Sequence, residues 1–270
     1  MEPTDVAAAV ETEELTRSFG EITAVDRLNL TVSGDEVFGL LGPNGAGKTT
    51  TIKMLTTLLP PSSGRARVGG FDVATQQAEV RRSIGYVPQL LSADGQLTGR
   101  ENLTLSARLY HMPRSERDGR IEDALRLMAL TDAAGRLVRT YSGGMIRRLE
   151  LAQAMLHQPS VLFLDEPTIG LDPTARATVW DHVQELQASL GTAIVLTTHY
   201  MEEAELLCDR VAVMHRGVIA AIGTPEELKA QVGPDATLDD VFTHFTGADI
   251  NEGGRFRDIA RTRRTASRLG

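Results

Sequence analysis

Cysteine and lysine are both scarce in this chain of 270 residues, which holds one cysteine, Cys208, and three lysines, Lys48, Lys53 and Lys229, among 28 basic residues. A single cysteine excludes an internal disulfide and a cysteine zinc site, as a reducing compartment expects. The lysine shortage fits a bias toward arginine of the kind that G+C-rich coding produces. Long hydrophobic runs are missing as well. Stretches such as Val37 to Leu41 and Ala193 to Leu196 last only a few residues, whereas a membrane-spanning helix takes about 20. The first residues carry Glu2, Asp5, Glu11, Glu13 and Glu14 where a secretory signal would be basic and then apolar, so no signal peptide is expected.

What is present is an ordinary globular mixture, 41% hydrophobic and 24% charged, long enough for one large domain or two small ones. The net charge of −8 disfavours a nucleic-acid binder, because a phosphate backbone is repelled unless basic residues cluster. They cluster once: residues 251–270 hold six arginines against two acids, leaving +4 there and −12 over the rest. This tail reads either as a solvated segment or as a contact for anionic lipid headgroups.

Apolar, β-branched stretches at about 22–32 and 36–41 read as strands, and the second runs through glycines into a helix from Lys48 to about Leu59. Helical periodicity follows at Glu101 to Tyr110, Arg117 to Leu130 and Gly144 to Leu156. Next come a strand at 161–164, a helix from Thr174 to Leu190, a strand at 193–198, short strands at 211–214 and 217–222, and terminal helices at 225–232 and 237–245. Alternating buried strands and helices predict an α/β fold with a mostly parallel sheet, into which the helical middle section is inserted.

The strongest motif is Gly42-Pro43-Asn44-Gly45-Ala46-Gly47-Lys48-Thr49-Thr50, between a strand and a helix. Such a loop aims backbone N–H groups at a phosphate, with glycines where a Cβ would block the approach, and the helix N-terminus adds partial positive charge. Lys48 would reach the β- and γ-phosphates, and the Thr49 hydroxyl would ligate Mg²⁺. Residues Val161 to Glu166 form an apolar strand ending in two acids. Beside a phosphate loop, Asp165 would hold Mg²⁺ and Glu166 would orient and deprotonate the attacking water. Tyr141-Ser142-Gly143-Gly144-Met145 taken alone fits any capped helix start. The order of the parts narrows it: phosphate loop, helical insertion, Ser-Gly-Gly, Asp-Glu, then His199 after the next strand.

With these motifs, residues 11 to 245 resemble the ATP-binding cassettes, the nucleotide-binding subunits of ABC transporters. The resemblance implies a P-loop NTPase with a mostly parallel core sheet, an N-terminal antiparallel β subdomain and a helical signature subdomain. It divides the chain into an N-terminal extension (1–10), an ATPase domain (11–223, with the helical subdomain at about 90–157), a small helical appendage (224–250) and the tail (251–270). It makes Gly42 to Thr50 the Walker A loop, Gln89 the Q-loop glutamine and a magnesium contact, Ser142, Gly143 and Gly144 the signature, Asp165 and Glu166 Walker B, Asp172 the D-loop aspartate, and His199 the switch histidine at the γ-phosphate. Phe19 falls where the family stacks an aromatic on adenine, although a strand-edge aromatic is more often core. In the family two cassettes close head-to-tail on two ATP molecules, so a second ATP-binding subunit is expected, here a homodimer of this chain.

Two residues depart from the usual signature: Tyr141 stands for Leu and Met145 for Gln. The segments Thr140 to Leu149, Leu97 to Asn102 and Leu238 to Phe242 look like the exporter branch typified by the daunorubicin-resistance ATPases, which serves a separate ABC-2 permease. That resemblance implies an ATPase driving export of a small, lipophilic or drug-like compound, peripheral on the cytoplasmic face of the plasma membrane, with no nucleic-acid partner. A cassette serving a soluble complex, of the iron–sulfur assembly type, is the alternative. The coiled-coil DNA-repair cassettes are excluded, since only 51 residues separate Gln89 from Tyr141.

Overall fold

The computed structural model describes residues 8–247, so the arginine tail at 251–270 lies outside the described residues. Strand β1 (Ala8–Phe19) pairs antiparallel with β2 (Ile22–Ser33). Residues 8–10, expected in an N-terminal extension, already lie in β1, where Val10 is fully buried. After β3 (Val37–Leu41) comes α1 (Lys48–Leu55). That helix was expected to reach Leu59 and stops a turn earlier, because the Thr56 hydroxyl donates back to the Ile52 carbonyl and Thr57 turns left-handed at φ 61°.

The segment after Pro60 and Pro61 holds three elements that periodicity does not reveal, β4 (Ser63–Val68), β5 (Phe71–Asp72) and α2 (Gln77–Ser83), followed by β6 (Ile84–Val87). The helical section comprises α3 (Gly99–Leu109), α4 (Arg114–Leu127) and α5 (Gly143–Met155). Thr98 and Glu101 form a reciprocal capping box at the start of α3. The chain then continues through β7 (Val161–Asp165), α6 (Pro173–Leu190), β8 (Ala193–Thr198) and α7 (Met201–Leu207). It closes with β9 (Arg210–His215), β10 (Val218–Gly223), α8 (Pro225–Ala230) and α9 (Leu238–Thr246).

Two sheets result. An antiparallel sheet has the order β2-β1-β4-β5, and a mixed sheet has the order β10-β9-β3-β8-β7-β6, parallel except for the β10 edge. The central strands are apolar at nearly every position because each face is buried in a different core. In β3, Val37 and Leu41 enter one core while Phe38 and Leu40 enter the other; in β7, Leu162 and Leu164 part from Val161 and Phe163; in β8, Ile194 and Leu196 part from Ala193 and Val195. The first core is shared with α3 to α7, and the second with the antiparallel sheet and α1. Gly39 completes the alternation, since a Cβ there would lie 2.8 Å from the Cys208 sulfur. No helix among the described residues is long and apolar enough to cross a membrane.

Candidate functional site

The C-terminal ends of β3, β8 and β7, neighbours in the middle of the mixed sheet, lie side by side, and the site is built on them. The glycine loop between β3 and α1 has two kinds of glycine. Gly42 (φ 151°) and Gly47 (φ 113°) are demanded by the chain itself, because a Cβ would come within 2.2 Å of the Met214 carbonyl and 2.6 Å of the Ala24 carbonyl, respectively. Gly45 faces open space, and its φ of 88° keeps the loop in a conformation other residues resist. Ala46 is buried and donates its N–H to the Pro43 carbonyl, whereas Asn44 and Gly45 are exposed at the tip. Thr50 sits half-buried in the first turn of α1.

Lys48, although 4% exposed, curls back to donate to the Gly42 carbonyl (2.7 Å) and the Pro43 carbonyl (3.2 Å), and its Nζ lies 3.2 Å from Glu166 Oε1. Thr49 Oγ1 donates to Asp165 Oδ1 at 3.0 Å, and Thr197 Oγ1 donates to the same oxygen at 2.8 Å. Burial pushes the Asp165 carboxyl above its ordinary value, against the pull of the Thr197 and Thr49 hydroxyls. A cation beside it would reverse that shift.

Glu166 follows the last residue of β7, so the alternation of strand side chains does not govern it. It takes a left-handed φ of 47°, uncommon for a residue with a Cβ, and its N–H donates to Thr197 Oγ1 at 2.9 Å. The turn brings the Glu166 carboxylate among three of the expected site residues: Lys48 Nζ at 3.2 Å, the Gln89 amide Nε2 at 3.4 Å and His199 Nδ1 at 3.2 Å. The His199 nitrogen is within ion-pair range but not aimed for a hydrogen bond. Burial alone would raise the Glu166 carboxyl, but His199 and Lys48 outweigh it and hold it below the ordinary 4.5. Lys48 in turn is drawn below the ordinary lysine value by burial, against the attraction of Glu166.

Behind His199, the buried Glu203 on α7 accepts from Thr168 Oγ1 (2.7 Å) and Thr198 Oγ1 (2.9 Å), while Arg176 Nε of α6 lies 3.4 Å away. Thr198 Oγ1 then accepts the Tyr200 N–H, and the Arg176 guanidinium covers the Tyr200 ring at 4.2 Å. One carboxylate thus ties the turn after Glu166 to the segment carrying His199. Glu203→Ala should destabilise the fold by about 1–3 kcal/mol, since buried donors lose their acceptor. Denaturant unfolding checks this, and an unchanged midpoint would count against the network.

Ser142 begins α5 as an N-cap, its Oγ accepting the Met145 N–H at 3.3 Å. Ser142 and Gly143 are exposed, and none of the hydrogen bonds or ion pairs described joins them to the glycine loop. Added Cβ atoms at Gly143 and Gly144 would press on Leu171 (3.2 Å) and Ala175 (3.0 Å), so this turn packs on the segment capped by Asp172, whose carboxylate accepts the Ala175 N–H. The two departures have structural accounts. Tyr141 is buried and its hydroxyl donates to the Ala133 carbonyl at 2.7 Å, in a niche that leaves Gly99 no room for a Cβ. Met145 packs against the first core. Phe19 is 46% exposed, with the Arg17 guanidinium 4.6 Å over its ring, so it is not a core residue.

Sequence reasoning missed Glu203, Thr197, Arg147 and Glu150, all buried at or beside this site. A lone acid or arginine on a helix normally reads as solvated; the only signal was their position on faces otherwise apolar.

A family described as "ABC transporter" matches residues 25–169. The chain is 46% identical over 231 residues to the daunorubicin resistance ATP-binding protein DrrA3 of Streptomyces coeruleorubidus, covering 86% of this chain and 72% of that one. It is 42% identical over 248 residues to the doxorubicin resistance ATP-binding protein DrrA of Mycobacterium tuberculosis, covering 92% and 73%. Among solved structures, an ATP binding subunit of an ABC transporter superposes with a TM-score of 0.79 at 30% identity, over 88% of this chain and 99% of that one.

Proposed function

Since the chain belongs to the ABC transporter family, as an ATP-binding subunit, we propose that Lys48, Gln89, Asp165, Glu166 and His199 form the hydrolytic half of its ATP site. The other half would be Ser142 to Gly144, with Asp172, of a second copy. The protein is an ATPase with the P-loop NTPase fold, and its family works as dimers beside a separate transmembrane component. One observation carries the assignment of roles: three side chains suited to a γ-phosphate converge on the carboxylate suited to be the base.

Residues 42 to 50 would cradle the phosphates, with Lys48 exchanging its Glu166 contact for phosphate oxygens. The Thr49 hydroxyl and Asp165 carboxylate, 3.0 Å apart, with Gln89 nearby in the same site, are hard oxygen donors that fit Mg²⁺. ATP phosphates and water would supply the remaining ligands. When bound, the ion neutralises charge on the transferred phosphoryl group. Glu166 takes the proton of the attacking water, and the water oxygen bonds to the γ-phosphorus as the bond to ADP breaks. His199 and Gln89 orient the water and the phosphate, and Phe19 would stack on adenine once Arg17 yields its face. The exposed Ser142 and Gly143 suit a γ-phosphate held by the partner copy, at a helix N-terminus.

We further propose an ABC-2 permease as the membrane partner, a peripheral place on the cytoplasmic face of the plasma membrane, and a small, lipophilic cargo. The names of the relatives, which confer daunorubicin and doxorubicin resistance, support export over service to a soluble complex. The domain division expected from the sequence is kept as part of this proposal, with the N-terminal limit at residue 8, where β1 begins. The test is recovery of the tagged chain from detergent-solubilised membranes, followed by efflux of a fluorescent anthracycline with the recovered partner. An integral partner and ATP-dependent efflux are expected, whereas a purely soluble partner would reject transport.

A further inference from the structure

The loop from Pro88 to Ala93, which carries Gln89, crosses the buried face of α5 and is gripped there by one helical turn. The Arg147 guanidinium donates through Nη1 to the Pro88 carbonyl (2.7 Å) and through Nη2 to the Gln89 carbonyl (3.0 Å). The same Nη1 donates to Glu150 Oε2 at 2.9 Å. The other oxygen, Glu150 Oε1, accepts from Ser92 Oγ (3.0 Å), from the Ala93 N–H (3.3 Å) and from the Ser92 N–H. Both ends of the loop are therefore tied to residues three apart on one helix, and both side chains are only 2% exposed.

A buried ion pair is a poor way to gain stability, because desolvation consumes much of the attraction and well-packed apolar residues often do as well. What such a pair does supply is position: the guanidinium fork and the two carboxylate oxygens hold the loop at four backbone groups in one register. The N-cap of the same helix, Ser142, lies about 7.5 Å along the axis from Arg147 at 1.5 Å per residue. At the far side, Gln89 Nε2 reaches Glu166 Oε2.

We propose that Arg147 and Glu150 are positioning residues that lock the Gln89 loop to the helix starting at Ser142. A shift at the Ser142 end is then passed to Gln89, and so to Glu166, as motion of one rigid body. This deepens the reading of the site as an ATPase and rests on it for its catalytic consequence. The mechanical part stands on the contacts alone.

The test uses the full chain and the double variant Arg147→Met with Glu150→Leu, which leaves no orphaned charge. Hydrogen exchange is followed by mass spectrometry with and without magnesium adenosine imidotriphosphate. In the parent, the analogue should slow exchange in 88–93 and 142–147 together. In the double variant, 42–50 should still respond while 88–93 and 142–147 respond separately, and the Ser92 and Ala93 amides should exchange about tenfold faster or more. The kcat for ATP should fall about tenfold or more with KM changed less than about threefold, the split expected when orientation rather than ground-state binding is lost. Should the double variant fail to fold, Arg147→Lys, which keeps the charge and loses the fork, gives the same readouts. Segments that still respond together in a folded variant, or an unchanged kcat, would overturn the proposal. A parent that binds the analogue without turning over ATP would refute the ATPase reading instead, leaving the exchange data to decide this one.

Discussion

Glu166→Gln is expected to slow ATP turnover by about 10²- to 10⁴-fold while leaving ATP binding intact or tighter, the range by which a positioned base contributes. The carboxylate stands below its ordinary 4.5 because His199 and Lys48 outweigh its burial, so it is ionised and ready to accept a proton at neutral pH. Glutamine keeps the shape and can still receive the Gln89 and Lys48 contacts, but it cannot take a proton. It also ends the competition of a full negative charge for Lys48, which lies 3.2 Å away and, on the proposed reading, turns to phosphate. The same depressed value sets the pH dependence. The stability that Glu166 draws from its ion pairs is fully present above 4.5, the ordinary value, and is lost as pH falls through the lower folded value. Phosphate release measured beside nucleotide affinity decides the point; a kcat within tenfold of the parent would remove Glu166 from the role of base.

Lys48→Ala carries the second large effect, on affinity rather than on turnover alone. A hydrogen bond to a charged group is worth about 1.5–3 kcal/mol, which at 1.4 kcal/mol per decade weakens ATP binding by about 10- to 150-fold. A second consequence falls on the fold. Glu166, 4% exposed, loses its close cation and keeps only Gln89 and His199, and a buried charge stripped of its partner is destabilising. The two effects separate in a double-mutant cycle. Adding Glu166→Gln to Lys48→Ala should restore much of the lost melting temperature and none of the lost affinity. Equal ATP affinity in parent and Lys48→Ala, measured by equilibrium titration, would sink the phosphate-loop assignment.

The site was more legible in the sequence than the scaffold behind it. Gly42 to Thr50, Asp165, Glu166 and His199 stand out because their chemistry demands rare residue types next to apolar strand ends, where little else explains them. The antiparallel sheet was only partly legible: β4 alternates over just four residues, Arg65 and Arg67 exposed against Ala66 and Val68 buried, and β5 is two residues long, so the period is too short to stand out. Helix ends slipped where a side chain cut the ladder, as Thr56 does at the end of α1. The reason for two of the loop glycines was not legible either. Gly42 and Gly47 are needed against Met214 and Ala24, neighbours that only the folded chain supplies. Arg147, Glu150 and Glu203 were invisible because a charge on a helix looks solvated until its partners across the chain are known.

The central strands divide their residues between two cores, and this makes the sheet a ruler. Deleting one residue inside β7 would exchange both faces at once, sending Leu162 and Phe163 each into the wrong core. It would also draw Asp165 and Glu166 back by about 3.3 Å, one strand residue, out of reach of Thr49 and Lys48. Either fault alone would be repaired only by a second shift elsewhere, so the distance from packed interior to the carboxylates at the strand tip is set by residue count. Changes of length are left to the loops, and the three strand tips keep their alignment to within a hydrogen bond.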